Sequence, residues 1–210
     1  GLYTSSAPTT LLMVSKSSAI RSAKDLDGKT VATNGLRNIG EYAPALWIDK
    51  NGGHSSTVKF VEMPFTEMAK ALDAHRIDAA IIAEPSLTEA ERQGLVRELG
   101  DAYGAVANRF MIGGWFTTSR WVTEHPDVLR RFVAAIREAD AWANKNPSMS
   151  APIFAKYAKL DPEVAKRMTR SHFAETLTPG LIQPMIELAV KYKALGGTFP
   201  AEEMMAKVER

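Results

Sequence analysis

Asn34, Gly35, Arg37, Asn38 and Ile39 stand between a short apolar run and a segment whose apolar residues Ile39, Ala43, Leu46 and Trp47 repeat at helical spacing. A loop at that position offers backbone amides and the positive end of a helix dipole, which together suit an anion. Its glycines let the backbone approach a ligand, and Arg37 can add a forked, charge-assisted contact to a sulfonate or carboxylate. Glu41 opposes this, because its carboxylate would occupy the same positive end. The same residues also suit an ordinary strand-to-helix turn carrying a solvated arginine. Three further side chains are candidates. Glu84 ends the apolar run AAIIA, where it can accept from a ligand amine or ring nitrogen, or tie neighbouring segments together through an arginine. Phe65 and Trp115 can stack on a ligand or belong to the core, and Trp47 lies within an apolar stripe and reads as core.

Other chemistries find no pattern. His54, His75, His125 and His172 lie far apart with no HExxH spacing, and there is no GxSxG elbow or GxxxxGK phosphate loop. The stretch from Asn34 to Gly40 has two glycines, not the three of the dinucleotide fingerprint. Cysteine is absent, which excludes disulfides and thiolate metal sites. We therefore expect no catalytic residue, no metal and no cofactor. Twenty-six basic and 24 acidic residues are dispersed to a net +2, so no charged block favours nucleic acid or a membrane surface. No apolar run approaches the ~18 residues of a membrane span. GLYTSSAPTT lacks the basic-then-apolar order of a signal peptide.

The elements that must position these residues alternate. Apolar runs predict strands at 10–15, 30–34, 58–63, 79–83 and 95–99. Amphipathic segments predict helices after Asn38, after a Thr66 cap, and over 86–93, which together describe a parallel sheet with helical crossovers. Asn38 is the expected N-cap of its helix, with Glu41 in capping-box position, while Pro44 predicts a kink or a later start. FMIGGWFTT at 110–118 reads as another strand, interrupted by Gly113-Gly114. Beyond it the pattern is helical: a long stripe from Pro126 to Asn146, then helices at 149–158, 162–171 and 179–195, with no strand.

DLDGKTVATNG, MPFTEMAKALDAHRIDAAIIAEP and FMIGGWFTTSRWVTEHPDVLRRFVAAIREADAW, in this order, closely resemble the solute-binding proteins of bacterial ABC importers, in the group serving nitrate, sulfonates, taurine and thiamine-pyrimidine precursors. The resemblance implies a type II periplasmic-binding-protein-like α/β fold, whose two lobes close on a small-molecule ligand. Residues 10–110 would form the α/β second lobe. Residues 111–210 would supply a returning crossover strand and the helical part of an incomplete first lobe, its N-terminal segment lacking. It also implies a periplasmic location, an ABC permease as partner, and apolar helices that a second copy could cover. Thiamine-pyrimidine synthases and ligand-sensing effector domains share this architecture. The former rely on a cysteine-rich iron motif and a cofactor-bearing lysine, and this chain has no cysteine. His75 stands where a glycine is common in the family.

Overall fold

The runs Thr10–Ser15 and Ala79–Ala83 carry almost no exposed side chain because both faces of each are covered. In a computed structural model that describes residues 1–206, they lie side by side in a five-stranded sheet. Its strands are β2 (Thr10–Ser15), β3 (Thr30–Thr33), β4 (Lys59–Glu62), β5 (Ala79–Ala83) and β6 (Val96–Gly100), in the order β4-β3-β5-β2-β6. A separate ribbon pairs β1 (Leu2–Thr4) antiparallel with β7 (Arg109–Met111).

Strands β4, β3 and β5 are parallel, as their helical crossovers require. β2 runs antiparallel to β5, and β6 antiparallel to β2, so the sheet is mixed where the sequence predicts a parallel one. The reason is the entry point: β2 starts beside Ala83, at the carboxyl edge of β5, and can only run away from it.

Alternation of side chains divides the core. Leu12, Val14, Ala79 and Ile81 face the cluster that includes Ala43 and Ile48 of α1 (Ile39–Lys50). Leu11, Met13, Ala80 and Ile82 face Met68 and Leu72 of α2 (Phe65–Asp73), together with Leu87 and Ala90 of α3 (Ser86–Arg92). Trp47 packs on the first cluster, against Gly100, where an added Cβ would lie 2.4 Å from the indole.

The remaining helices are α4 (Ser119–Glu124), α5 (Pro126–Lys145), α6 (Pro147–Ala158), α7 (Pro162–Arg167) and α8 (Pro179–Lys191). α8 reaches back to α1: Leu188 joins Tyr42 and Leu46, and Tyr192 stacks on Tyr42 at 5.5 Å. α5 buries none of its residues, although Val128, Phe132 and Trp142 lie on its apolar stripe.

Several predicted boundaries move. The strand expected over 110–118 stops at Met111, because β1 pairs with it over three residues only and the chain past the glycines finds no ladder. The short strand β1 has too few residues to show a period. α2 begins at Phe65 with Pro64 as its cap residue, so Thr66 lies inside the helix. α1 starts at Ile39 and continues through Pro44. α7 ends at Arg167, where the Thr169 amide turns to Glu84 instead of continuing the helix. α8 ends at Lys191: Lys193 takes the left-handed conformation (φ 59°) and the Ala194 amide closes on Ala189, before Gly196 and Gly197 are reached.

Candidate functional site

Parallel strands deliver their carboxyl ends to one edge, and the loops there belong to one crevice. β3 ends in the 34–38 loop, β4 leads to Phe65 and β5 to Glu84. Seven of the eight predicted ligand residues, Asn34, Gly35, Arg37, Asn38, Ile39, Phe65 and Glu84, therefore share the carboxyl edge of β4-β3-β5. Trp115 does not join them. It is 77% exposed, and its aromatic contact is edge-on to Phe132 of α5 at 5.6 Å.

The 34–38 loop is held by its own polar atoms. Asn38 has extended backbone, and its Oδ1 accepts the Gly40 amide at 2.7 Å, as an N-cap should. Glu41 does not complete a capping box on Asn38; its Oε2 accepts the Arg37 amide, one residue earlier, at 2.5 Å. That bond stabilises Arg37 in the left-handed region (φ 59°), a conformation that costs a non-glycine residue about 1–2 kcal/mol. The buried Thr33 hydroxyl donates to the Gly35 carbonyl at 3.2 Å. Once these bonds are made, the amides of Gly35, Leu36, Asn38 and Ile39 have no partner among the described residues. Asn34 and Arg37 are exposed beside them. The loop thus presents several donors, the positive end of a 12-residue helix and a guanidinium, with one amide already taken by Glu41.

Gly40 makes this packing possible. A Cβ there would lie 2.3 Å from Thr33 Oγ1, 2.6 Å from Asn34 Oδ1 and 3.1 Å from Asn38 Oδ1, the first and last of which make the loop's own hydrogen bonds.

Phe65, half-buried, packs on the second core cluster with Val61 and Met63. Glu84 is engaged by its own chain: Oε2 accepts the Thr88 amide at 3.1 Å, and Oε1 accepts the Thr88 hydroxyl at 2.9 Å and the Thr169 amide at 3.0 Å. The carboxylate therefore links β5 to the segment after α7 through a backbone amide, without the arginine that the sequence suggested. Its charge reaches α3, where burial, reinforced by Glu84 and Glu98, pushes the Glu91 carboxyl above the usual range.

Sequence reasoning passed over three groups at this edge. Thr9, 5% exposed, sits at the start of β2, and its carbonyl accepts the Glu84 amide at 2.8 Å. Thr169 and Arg170 arrive from far along the chain. No local motif marks any of them, since their placement depends on where a distant segment lands. Among the described residues no group of three His, Asp or Glu side chains is placed to hold a metal.

A mixed five-stranded sheet with helices on both faces, a ligand-type loop at its carboxyl edge and a two-stranded ribbon leading away define a periplasmic-binding-protein-like α/β chain. Residues 3–150 match the family model described as NMT1/THI5 like, and the chain belongs to that family. A protein of Brucella abortus (strain 2308), provisionally named a binding protein, is 27% identical over 143 residues, covering 67% of this chain and 44% of its own length. The periplasmic aliphatic sulphonate binding protein SsuA from Escherichia coli superposes with a TM-score of 0.72 at 15% identity, over 96% of this chain and 66% of that one. The desulfurization enzyme DSZB has a TM-score of 0.66 at 14% identity, over 94% and 73%. The chain thus spans under half the length of the curated relative and about two thirds of the SsuA structure.

Proposed function

We propose that this chain belongs to the periplasmic solute-binding component of an ABC importer, and that it binds a small organic anion of the sulfonate or taurine type. The observation that carries this reading is the 34–39 loop, with unpartnered amides at the start of α1 and Arg37 beside them. Family membership and the likeness to a sulphonate-binding protein support it. Residues 10–110 act as one lobe. Residues 111–210 carry the crossover and the helical part of the other, and the exposed stripe of α5 with Trp115 and Phe116 packs against the rest of that lobe. Binding closes the lobes about the β1–β7 ribbon, and a permease receives the closed form. On this reading the loop is half of a clamp, so the chain by itself holds its ligand at millimolar strength, about −4 kcal/mol.

Because the same fold also carries an enzyme, the fold does not decide between binding and catalysis. The loop favours binding: it offers donors and a fixed positive charge, and no nucleophile paired with a base. Saturation-transfer NMR on 1-butanesulfonate mixed with the chain tests the reading. Signal transfer that saturates in the millimolar range, falls with added salt and is absent for 1-butanol is expected. Equal transfer to the alcohol, or none to the sulfonate, would contradict it.

A further inference from the structure

Among the described residues, two of the buried side-chain atoms without a hydrogen-bond partner are Thr9 Oγ1 and Arg170 Nη1, and the backbone at both residues passes near Glu84. The Thr9 carbonyl accepts from the Glu84 amide, and the Glu84 carboxylate accepts from the amide of Thr169, the residue before Arg170. The backbones of Thr9 and Thr169 therefore meet at the carboxyl end of β5, and Arg170 is the next residue along. Arg170 is held from behind: its Nη2 donates to Ser150 Oγ at 3.3 Å, and its guanidinium lies over the Phe154 ring at 5.1 Å. Among the described residues no carboxylate lies within ion-pair distance of it. An enclosed guanidinium nitrogen with no acceptor is costly, and it calls for an acceptor such as water or an anion. Glu84 does not serve: its oxygens bond Thr88 and the Thr169 amide, and it makes no ion pair with Arg170.

We propose that Arg170 is a ligand-binding residue: it turns Nη1 toward the acidic group of the bound molecule, with the Thr9 hydroxyl as a second donor, and so selects ligands that carry a sulfonate or carboxylate. The proposal rests on the small-organic-anion reading above. It assigns the charge-selecting contact to the segment following α7, and the amides of the 34–39 loop take the remaining oxygens of the same acidic group.

Titrating the 15N-labelled 210-residue chain with 1-butanesulfonate, and in parallel with the neutral butyl methyl sulfone, tests it in the wild type and in Arg170→Gln, Arg170→Lys and Thr9→Val. Amide spectra report on folding in the same samples. Arg170→Gln is expected to weaken sulfonate binding about tenfold and leave the sulfone unchanged; Arg170→Lys, keeping the charge but losing the fork, is expected to fall between. Thr9→Val is expected to weaken it about threefold. Wild-type binding that Arg170→Gln and Arg170→Lys leave intact overturns this assignment while the small-anion reading stands. If Arg170→Gln unfolds, unchanged affinity in Arg170→Lys and Thr9→Val overturns it equally. No sulfonate binding by the wild type removes the small-anion reading and this assignment with it.

Discussion

Replacing Gly40 by alanine sets two effects of known size against each other. Gly40 lies inside α1 and carries no positive φ, so by propensity alone alanine would stabilise the helix by about 1 kcal/mol. The space argues the other way. The new methyl would come within 2.3 Å of Thr33 Oγ1 and 2.6 Å of Asn34 Oδ1, distances that real Cβ contacts do not reach. Relieving them moves the buried Thr33 side chain or the α1 backbone, which as overpacking costs about 1–3 kcal/mol. It also crowds Asn38 Oδ1, whose cap is worth about 1 kcal/mol. Space wins, and Gly40→Ala should destabilise the chain by about 1–3 kcal/mol, near 2–4 °C in Tm for each kcal/mol in a protein of this size. Urea unfolding followed by far-UV circular dichroism measures it, with the m-value unchanged. A variant as stable as the wild type, or more so, would refute the reasoning that packs these polar atoms around Gly40.

Asn38→Ala removes the acceptor for the Gly40 amide and should cost about 1 kcal/mol, while adding a free amide to the loop. Unfolding curves that coincide with the wild type would show the cap to be unimportant. Glu84→Gln leaves one acceptor oxygen for donors that now share two, and should cost about 1–3 kcal/mol; faster hydrogen exchange at the Thr169 amide is the specific readout. The α1–α8 junction should fail at both ends of the pH scale. Burial works against the Asp49 carboxylate, but bonds from the Ser55 amide and hydroxyl and from Tyr192 outweigh it and lower its pKa. That contribution is present above the ordinary carboxylate range near pH 4 and is lost as pH falls through the lowered value. Burial first, then the bond to Asp49, raises the Tyr192 pKa, so its share is complete below about pH 10 and is lost as pH rises through the raised value. Tyr192→Phe should therefore flatten the alkaline loss measured by thermal melts from pH 8 to 12; an unchanged alkaline limb would place that loss elsewhere.

Legibility in the sequence tracked the range of the forces involved. TLLMVS and AAIIA announced buried strands because both of their faces are covered, and Asn38 announced a cap because capping is local. The direction of β2 was hidden, since strand polarity depends on where the chain enters the sheet. The three residues of β1 were too few for a period, and the glycine-bearing stretch after Met111 looked like a strand because its aromatic residues mimic one, although Phe116 is 99% exposed. At the site the loop residues were readable, being contiguous. Glu84 was recognised as important, but its partner Thr169 stands 85 residues away, and nothing in the local sequence points to it. Thr9 and Arg170 were missed for the same reason.

The central claim is that the 34–39 loop receives an anion through its amides. Its most direct test is the amide spectrum of the wild-type chain titrated with 1-butanesulfonate. Saturable shifts centred on Gly35, Leu36, Asn38 and Ile39, with a common millimolar dissociation constant and a matching loss in Arg37→Gln, are predicted. Binding that leaves those four amides in place and shifts another surface, such as the apolar groove between Ala155 and Pro162, would contradict the account.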